Sequence, residues 1–267
     1  MNWQQLDSLS YQNRLRQLPP EHKLLFGVAL LLLVLMGHTL VQMLVFVWIG
    51  VWVIGYARIP VGSYLLFLLL SLSFFVAGLP ALLLEWVKAG AGLQKVEMLI
   101  AWNLGSYVVY ISPVAVSKVT ILFWRTMASL SCFSFILFTV PFAEILQVLR
   151  RIGVPSILTD LLMIMYRFIF VLLHTSYQLW IAQRSRGGHR GFKALLRDAG
   201  LLAAQLFVRA MRKYEALYKG MSARGFADSF HVLGLQTHVR SARYERESIV
   251  GCIMLVLLES WTGGWWF

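Results

Sequence analysis

Charge is the scarcest property of this chain. Asp, Glu, Lys and Arg make up 13% of its 267 residues, about half of the roughly 25% usual in a soluble domain. With 59% hydrophobic residues, the deficit excludes an ordinary soluble globule and predicts a polytopic membrane protein. Acids are rarer than bases, 12 against 24. They form no clustered Asp/Glu set of the kind metal-dependent membrane enzymes use. Cysteine is nearly absent. Cys132 and Cys252 lie in separate apolar segments with no CxxC or Cys/His pattern, so neither a disulfide nor a structural metal is signalled. The six histidines are dispersed. The sequence has no Walker A loop, no HExxH and no GxSxG. ATP binding through a P-loop and catalysis by this chain therefore lack an anchor. The intramembrane charges form no row of the kind a proton-coupled carrier needs. The first 23 residues are polar and include Arg14, Arg16, Pro19 and Pro20, so no cleavable signal is expected.

What charge there is sits unevenly. The segment from Pro141 to Glu247 holds sixteen of the twenty-four Lys and Arg and seven acids, a net of +9 within the total of +12. By the positive-inside rule this segment is cytoplasmic. Its charges alternate with membrane-grade apolar runs, which argues against nucleic acid as the partner.

In chain order, 1–23 reads as a cytoplasmic N-terminal segment. Leu24 to Ala57 has no charged residue apart from His38, taken as neutral. As one helix it would span about 51 Å, beyond a hydrocarbon core of about 30 Å. A break at Gly37-His38-Thr39 resolves this into a hairpin of two spans, with His38 as an interfacial turn residue. Tyr64 to Leu84 is a third span. Residues 85–113 form an external segment whose two acids and two lysines cancel. Val114 to Val140 is a fourth span, which completes a membrane domain over 24–140. It holds Lys118, which can snorkel outward, and the deeper Arg125. A mid-membrane arginine costs several kcal/mol unless paired or solvated. Arg125 reads either as a contact with a partner membrane subunit or as a buried structural arginine.

Residues 141–230 read as cytoplasmic helices. Pro141 opens the section, and Phe142 to Ile152 forms a short amphipathic helix stopped by Gly153-Val154-Pro155. Ser156 is a plausible N-cap. The next helix runs to Arg184 and is apolar around most of its circumference. One polar stripe of Asp160, Arg167 and His174 marks it as lying at the membrane margin, with Arg167 as a structural anchor. A further helix runs from Phe192 to Met221, with Ala203, Ala204 and Ala210 allowing a close helix crossing. Residues 231–267 are a polar loop and a last span near Ile249 to Leu258, followed by Trp261, Trp265, Trp266 and Phe267 at an interface. The expected architecture is an all-α polytopic membrane protein of about five transmembrane helices, with long cytoplasmic helices between the fourth and last spans.

The two long cytoplasmic helices end alike, at Ser185-Arg186-Gly187 and at Ala223-Arg224-Gly225. One reading is local. Glycine supplies the left-handed residue that closes a helix, and arginine complements the dipole by about 0.3–1 kcal/mol. The other reading is contact with a soluble partner, since the same ending recurs one long helix apart.

From Thr139 to Phe226 the sequence resembles the transmembrane T component of energy-coupling factor (ECF) transporters, in its CbiQ/NikQ branch. The resemblance rests on Thr139-Val140-Pro141-Phe142, Leu149-Arg150-Arg151-Ile152-Gly153-Val154-Pro155, Met165-Tyr166-Arg167-Phe168-Ile169-Phe170, Gln183-Arg184-Ser185-Arg186-Gly187 and Met221-Ser222-Ala223-Arg224-Gly225-Phe226. It covers about a third of the chain. It implies a subunit without enzymatic activity or a cofactor of its own, ATP being bound by partner subunits. The implied partners are two cytoplasmic ABC ATPase subunits, a small substrate-binding membrane S component (CbiM/NikM-like), an additional small membrane subunit in some assemblies, and the lipid bilayer. The implied location is the bacterial inner membrane, with the N-terminus cytoplasmic, and the implied cargo is cobalt or nickel ion. The family's two Ala-Arg-Gly signatures map onto Ser185, Arg186 and Gly187 and onto Ala223, Arg224 and Gly225, as ATPase contacts. The first departs by Ser for Ala. Two other classes stay open: a permease of a conventional ABC importer, and a membrane-bound enzyme.

Overall fold

The computed structural model describes residues 9–88, 100–104, 107–185, 191–225 and 241–262. The chain divides into two compact units, Met1–Pro141 with Gln236–Phe267, and Phe142–Leu235.

In the first unit, the long uncharged run breaks where expected. Helix α1 spans Pro20–Met36 and α2 spans Thr39–Val51, continuing as a π-helical turn over Trp52–Tyr56. Gly37 adopts an extended conformation at the break. The turn is held by Gln42, whose buried side-chain amide donates to the Val34 and Gly37 carbonyls at 3.2 and 2.9 Å. These are carbonyls that the end of a helix would otherwise leave unpaired. Helix α3 is Val61–Leu83 and α4 is Pro113–Thr139. The Ser112 hydroxyl accepts from the Val114 N–H to cap α4, and Pro113 opens it. Helix α8, Ala242–Trp261, closes the unit.

Helix α4 packs against α1, α2 and α3. At the core, Phe26 meets Trp48, Trp52 and Phe135 with ring centroids 5.0–5.6 Å apart. In lipid no hydrophobic driving force holds these rings together, and their close packing and edge-to-face contacts do so instead. The Tyr64 hydroxyl and the Ser131 Oγ lie 2.7 Å apart and join α3 to α4. Gly251 of α8 faces the Trp48 ring so closely that a Cβ there would run into it. The outward side of α3, including Leu66, Leu70 and Phe74, is exposed, as expected of a surface that faces lipid.

The membrane body is helical as the sequence predicts, with one addition. Among the described residues, the segment expected to be external carries three short antiparallel strands, β1 (Glu85–Lys88), β2 (Ile100–Leu104) and β3 (Tyr107–Ile111), in the order β1-β3-β2. Glu85 stands opposite Tyr110 and Ile100 opposite Ile111. Strands of four or five residues give too short an alternation to stand out beside membrane spans.

The spans also differ in detail from the expectation. Among the described residues, four helical stretches are long and apolar enough to cross a membrane: Thr39–Tyr56, Val61–Leu83, Pro113–Thr139 and Ser156–Ser185. The fourth was expected at the membrane margin, yet its length and composition suit a crossing. Helix α1 has only 17 residues. Helix α8 begins seven residues before Ile249, because Arg243 and Glu247 form an i,i+4 pair at 2.9 Å that supports its first turns. Hydrogen bonds from Arg243 and then Tyr56 hold the Glu247 carboxyl below its ordinary range.

The second unit contains α5 (Phe142–Arg151), α6 (Ser156–Ser185) and α7 (Phe192–Ala223). Gly153 has φ +104. Its N–H donates to Arg150 at 3.3 Å and the Val154 N–H donates to Leu149 at 3.2 Å, the paired bonds of a Schellman closure. Pro155, not Ser156, holds the cap position of α6, since its carbonyl accepts from the Thr159 N–H at 3.3 Å.

Candidate coupling site

Helix α7 has 32 residues, about 48 Å of continuous rod. At its C-terminus Arg224 adopts φ −94 and ψ 12, and its N–H donates to Met221. The Gly225 N–H donates to Ser222 at 3.2 Å, with φ +70. Among the described residues a Cβ on Gly225 would meet nothing within 4 Å. Glycine is therefore required by backbone conformation and not by crowding: it is the left-handed residue that ends the helix. Ser222, Ala223 and Arg224 are all exposed. Closing the helix is the task of Gly225, and the Arg224 side chain projects from the end of the rod. The exposed cations Lys193, Arg197, Arg209, Arg212, Lys213 and Lys219 line the same helix, against Asp198 and Glu215. The surface of this helix is therefore net positive.

The other ending begins at the last residue of α6. Ser185 is that residue, and its hydroxyl donates back to the Ile181 and Ala182 carbonyls at 2.7 and 3.3 Å. A serine whose hydroxyl is satisfied within its own helix presents outward little more than alanine does. Arg186 and Gly187 lie outside the described residues. The preceding arginine, Arg184, sits 5.3 Å over the Trp180 ring, a local cation–π contact. The Gln183 side chain donates to the Asp198 carbonyl at 3.2 Å, tying α6 to the first turns of α7.

Pro141 is buried just beyond the end of α4. Gly153 and Pro155 form the α5–α6 turn described above. Arg167 is exposed on α6. Asp160, on the same stripe, lies 4.0 Å from Arg150 of α5. Ala210 is half-buried but Ala203 is exposed. Within this chain Ala203 therefore marks no crossing, and the hydrogen bond joining α6 to α7 is at their turn end. A helical pattern finds small residues on one face but does not say which face meets a neighbour of the same chain.

Sequence reasoning missed two anchors in the first unit. Asn13 is buried, and its side-chain amide donates to the Ser10, Phe138 and Thr139 carbonyls at 2.8, 3.0 and 3.3 Å. Lys23, 4% exposed, donates to Thr139 at 3.2 Å. Both satisfy carbonyls at the C-terminus of α4, where a cation also complements the helix dipole. Only the position of Lys23 at the edge of an apolar run hints at this. The second anchor is the contact between His38 and Glu259. His38 Nδ1 lies 2.6 Å from Glu259 Oε1, and the His38 backbone N–H donates to both carboxylate oxygens. Among the described residues no three or more His, Cys, Asp or Glu gather where they could hold a metal ion.

Fold and site together define a multi-pass helical membrane protein that presents a basic tip on a long helix. Residues 12–232 match the family described as CbiQ, cobalt transport protein. The chain belongs to that family. It is 24% identical over 231 residues to the cobalt transport protein CbiQ of Salmonella typhimurium, covering 85% of this chain and 99% of the relative. It is 29% identical over 235 residues to the CbiQ of Rhodobacter capsulatus, covering 85% and 86%. It is also 29% identical over 157 residues to a putative fused cobalt transport protein CbiMQ of Methanocorpusculum labreanum, covering 58% of this chain and 25% of that one. This is a membrane protein of a cobalt transport family.

Proposed function

We propose that the chain is the transmembrane coupling subunit of an ECF-type importer. It transmits the ATP-driven movement of two cytoplasmic ATPase subunits to a small substrate-binding membrane subunit for cobalt or nickel ion. It performs no chemistry itself, and the nucleotide is held by the ATPases. In this reading the two arginine tips and the N-terminus lie on the cytoplasmic side of the inner membrane.

The observation that supports this best is the C-terminus of α7: an exposed arginine at the end of a 32-residue helix, with a left-handed glycine closing the backbone behind it. A rod of this length passes on a push that a loop would absorb. Arginine offers a rigid fork of donors to a carboxylate or to carbonyls and stays charged at physiological pH. The fused CbiMQ relative is about four times as long as the aligned stretch, which leaves room for a second component in one polypeptide and supports a CbiM-like neighbour here. A conventional permease would need only one such tip and would form its own substrate path.

Affinity purification of the tagged chain from native membranes in mild detergent tests the reading. It predicts two ATPase subunits and one small integral membrane subunit in stable association. A periplasmic binding protein with a second permease copy, or turnover by the chain alone, would contradict it.

A further inference from the structure

Helices α1 and α8 run side by side in the same direction. His22, near the start of α1, lies 3.5 Å from Glu245, near the start of α8. His38, just past the end of α1, bonds to Glu259, near the end of α8. Between the two helices lies a cavity of about 220 Å³. Ala29, Leu32, Leu33 and Met36 line it from α1 and Cys252 and Val256 from α8, and Gly37 and Glu259 stand at one end. Leu32, Met36 and Val256 are exposed, so this is a groove on the surface of the unit and not a sealed void. An apolar cavity of about 150 Å³ already stays dry and holds a benzene molecule.

The groove has the reach of one lipid chain. From Ala29 to Met36, and from Cys252 to Glu259, is about 10 Å of helix. Helix α1, with 17 residues, covers about 25 Å. As the first span it brings Gly37 and His38 near the far edge of a hydrocarbon core of about 30 Å. From that edge the groove runs inward and stops within one leaflet, whose hydrocarbon is about 15 Å deep. A transmembrane helix of a partner would need a trough along the whole span.

The edge of the groove is polar. The Glu259 carboxylate is buried and accepts from the His38 backbone N–H and, at 2.6 Å, from His38 Nδ1. Because a carboxylate only accepts, Nδ1 carries the hydrogen, and in a neutral imidazole Nε2 is then an acceptor. The His38 side chain is 34% exposed, and among the described residues its Nε2 has no hydrogen-bond partner. With the imidazole neutral, the pair carries one negative charge and one open acceptor at the head of an apolar groove. We infer that the groove binds a phospholipid whose headgroup carries a primary ammonium. One acyl chain lies between α1 and α8, and the ammonium donates to His38 Nε2 with the Glu259 charge behind it. An anionic headgroup would be repelled by that charge, and a quaternary ammonium has no N–H to donate. The site does not depend on the coupling function proposed above.

Cys252 reports on the groove, because it lines it while Cys132 is fully buried. The full chain, purified free of lipid in detergent, is labelled with N-ethylmaleimide, and the rate at Cys252 is followed by mass spectrometry. Dioleoyl phosphatidylethanolamine, phosphatidylcholine or phosphatidylglycerol is then added. Phosphatidylethanolamine should slow labelling at least about fivefold, with half its effect at a concentration at least about fivefold below that of the other two. Glu259→Gln should bring the three lipids within about twofold of one another. Ala29→Phe fills the groove, and added lipid should then change the rate less than about twofold. If Glu259→Gln does not fold, the wild-type ranking decides. Equal protection by all three lipids, stronger protection by phosphatidylglycerol, or protection by none overturns the inference. So does wild-type protection in Ala29→Phe, which would put the lipid elsewhere. If Cys252 in the assembled transporter stays protected after delipidation, another subunit covers the groove, and the inference fails.

Discussion

His38, at the break between α1 and α2, is bonded to Glu259 near the end of α8 through both its ring and its backbone N–H. The two residues are 221 positions apart. The contact fastens the last helix to the first hairpin. Gly37 belongs to the arrangement, because a Cβ there would lie 2.7 Å from the Leu33 carbonyl and 3.2 Å from Glu259 Oε2.

Glu259→Ala should therefore destabilise the first unit. Leaving the His38 donors without their acceptor costs about 1–3 kcal/mol. Glu259→Gln keeps an acceptor and should cost less. Thermal unfolding in detergent is the measurement, with the order wild type, Gln, Ala expected. Equal melting of all three would show that the carboxylate contributes nothing to holding α8.

The C-terminus of α4 gives a second prediction. Asn13 and Lys23 share the Thr139 carbonyl, so their effects should not add. Asn13→Ala and Lys23→Met should each cost about 1–3 kcal/mol. A double-mutant cycle should give a coupling of about 0.5–3 kcal/mol. Strict additivity would mean the two side chains act on separate parts of the helix end.

Gly225 gives a third. At φ +70, a residue with a Cβ costs about 1–2 kcal/mol, and asparagine tolerates the conformation better than alanine. Gly225→Ala should redirect or fray the tip and weaken ATPase association, with Gly225→Asn closer to wild type. Among the described residues no atom lies within 4 Å of the added Cβ, so the expected effect comes from the backbone conformation. If Ala binds better than Asn, the backbone argument fails.

The helical framework was legible because it follows from long-range composition. The uncharged stretch over Leu24 to Ala57 had to break, and Gly37-His38 was the place in it where turn residues met. Gly153, Pro155 and Gly225 were legible because only a few residue types suit a left-handed or helix-stopping position. The strand hairpins were not, since four or five residues carry too little alternation. The role of Asn13, the bond between His38 and Glu259, and the exposure of Ala203 were not legible either. Each depends on which elements become neighbours in space, and hydropathy along a single chain does not encode that. Asp160 shows the same limit: the stripe on α6 predicted its face, but its partner Arg150 comes from the preceding helix.

The central claim is that the two arginine tips engage the ATPases, and it is tested most directly by ATPase association of Arg186→Ala and Arg224→Ala in the intact transporter. Losing one partner of a buried charged contact costs about 2–5 kcal/mol, so each change should lower association or ATP-driven metal uptake by well over tenfold. Arg→Lys should fall between, because charge survives and the fork does not. The double change should be little worse than the poorer single one. If both alanine variants bind the ATPases normally and transport metal at wild-type rates, the arginines only complement their helix ends, and the coupling function is contradicted.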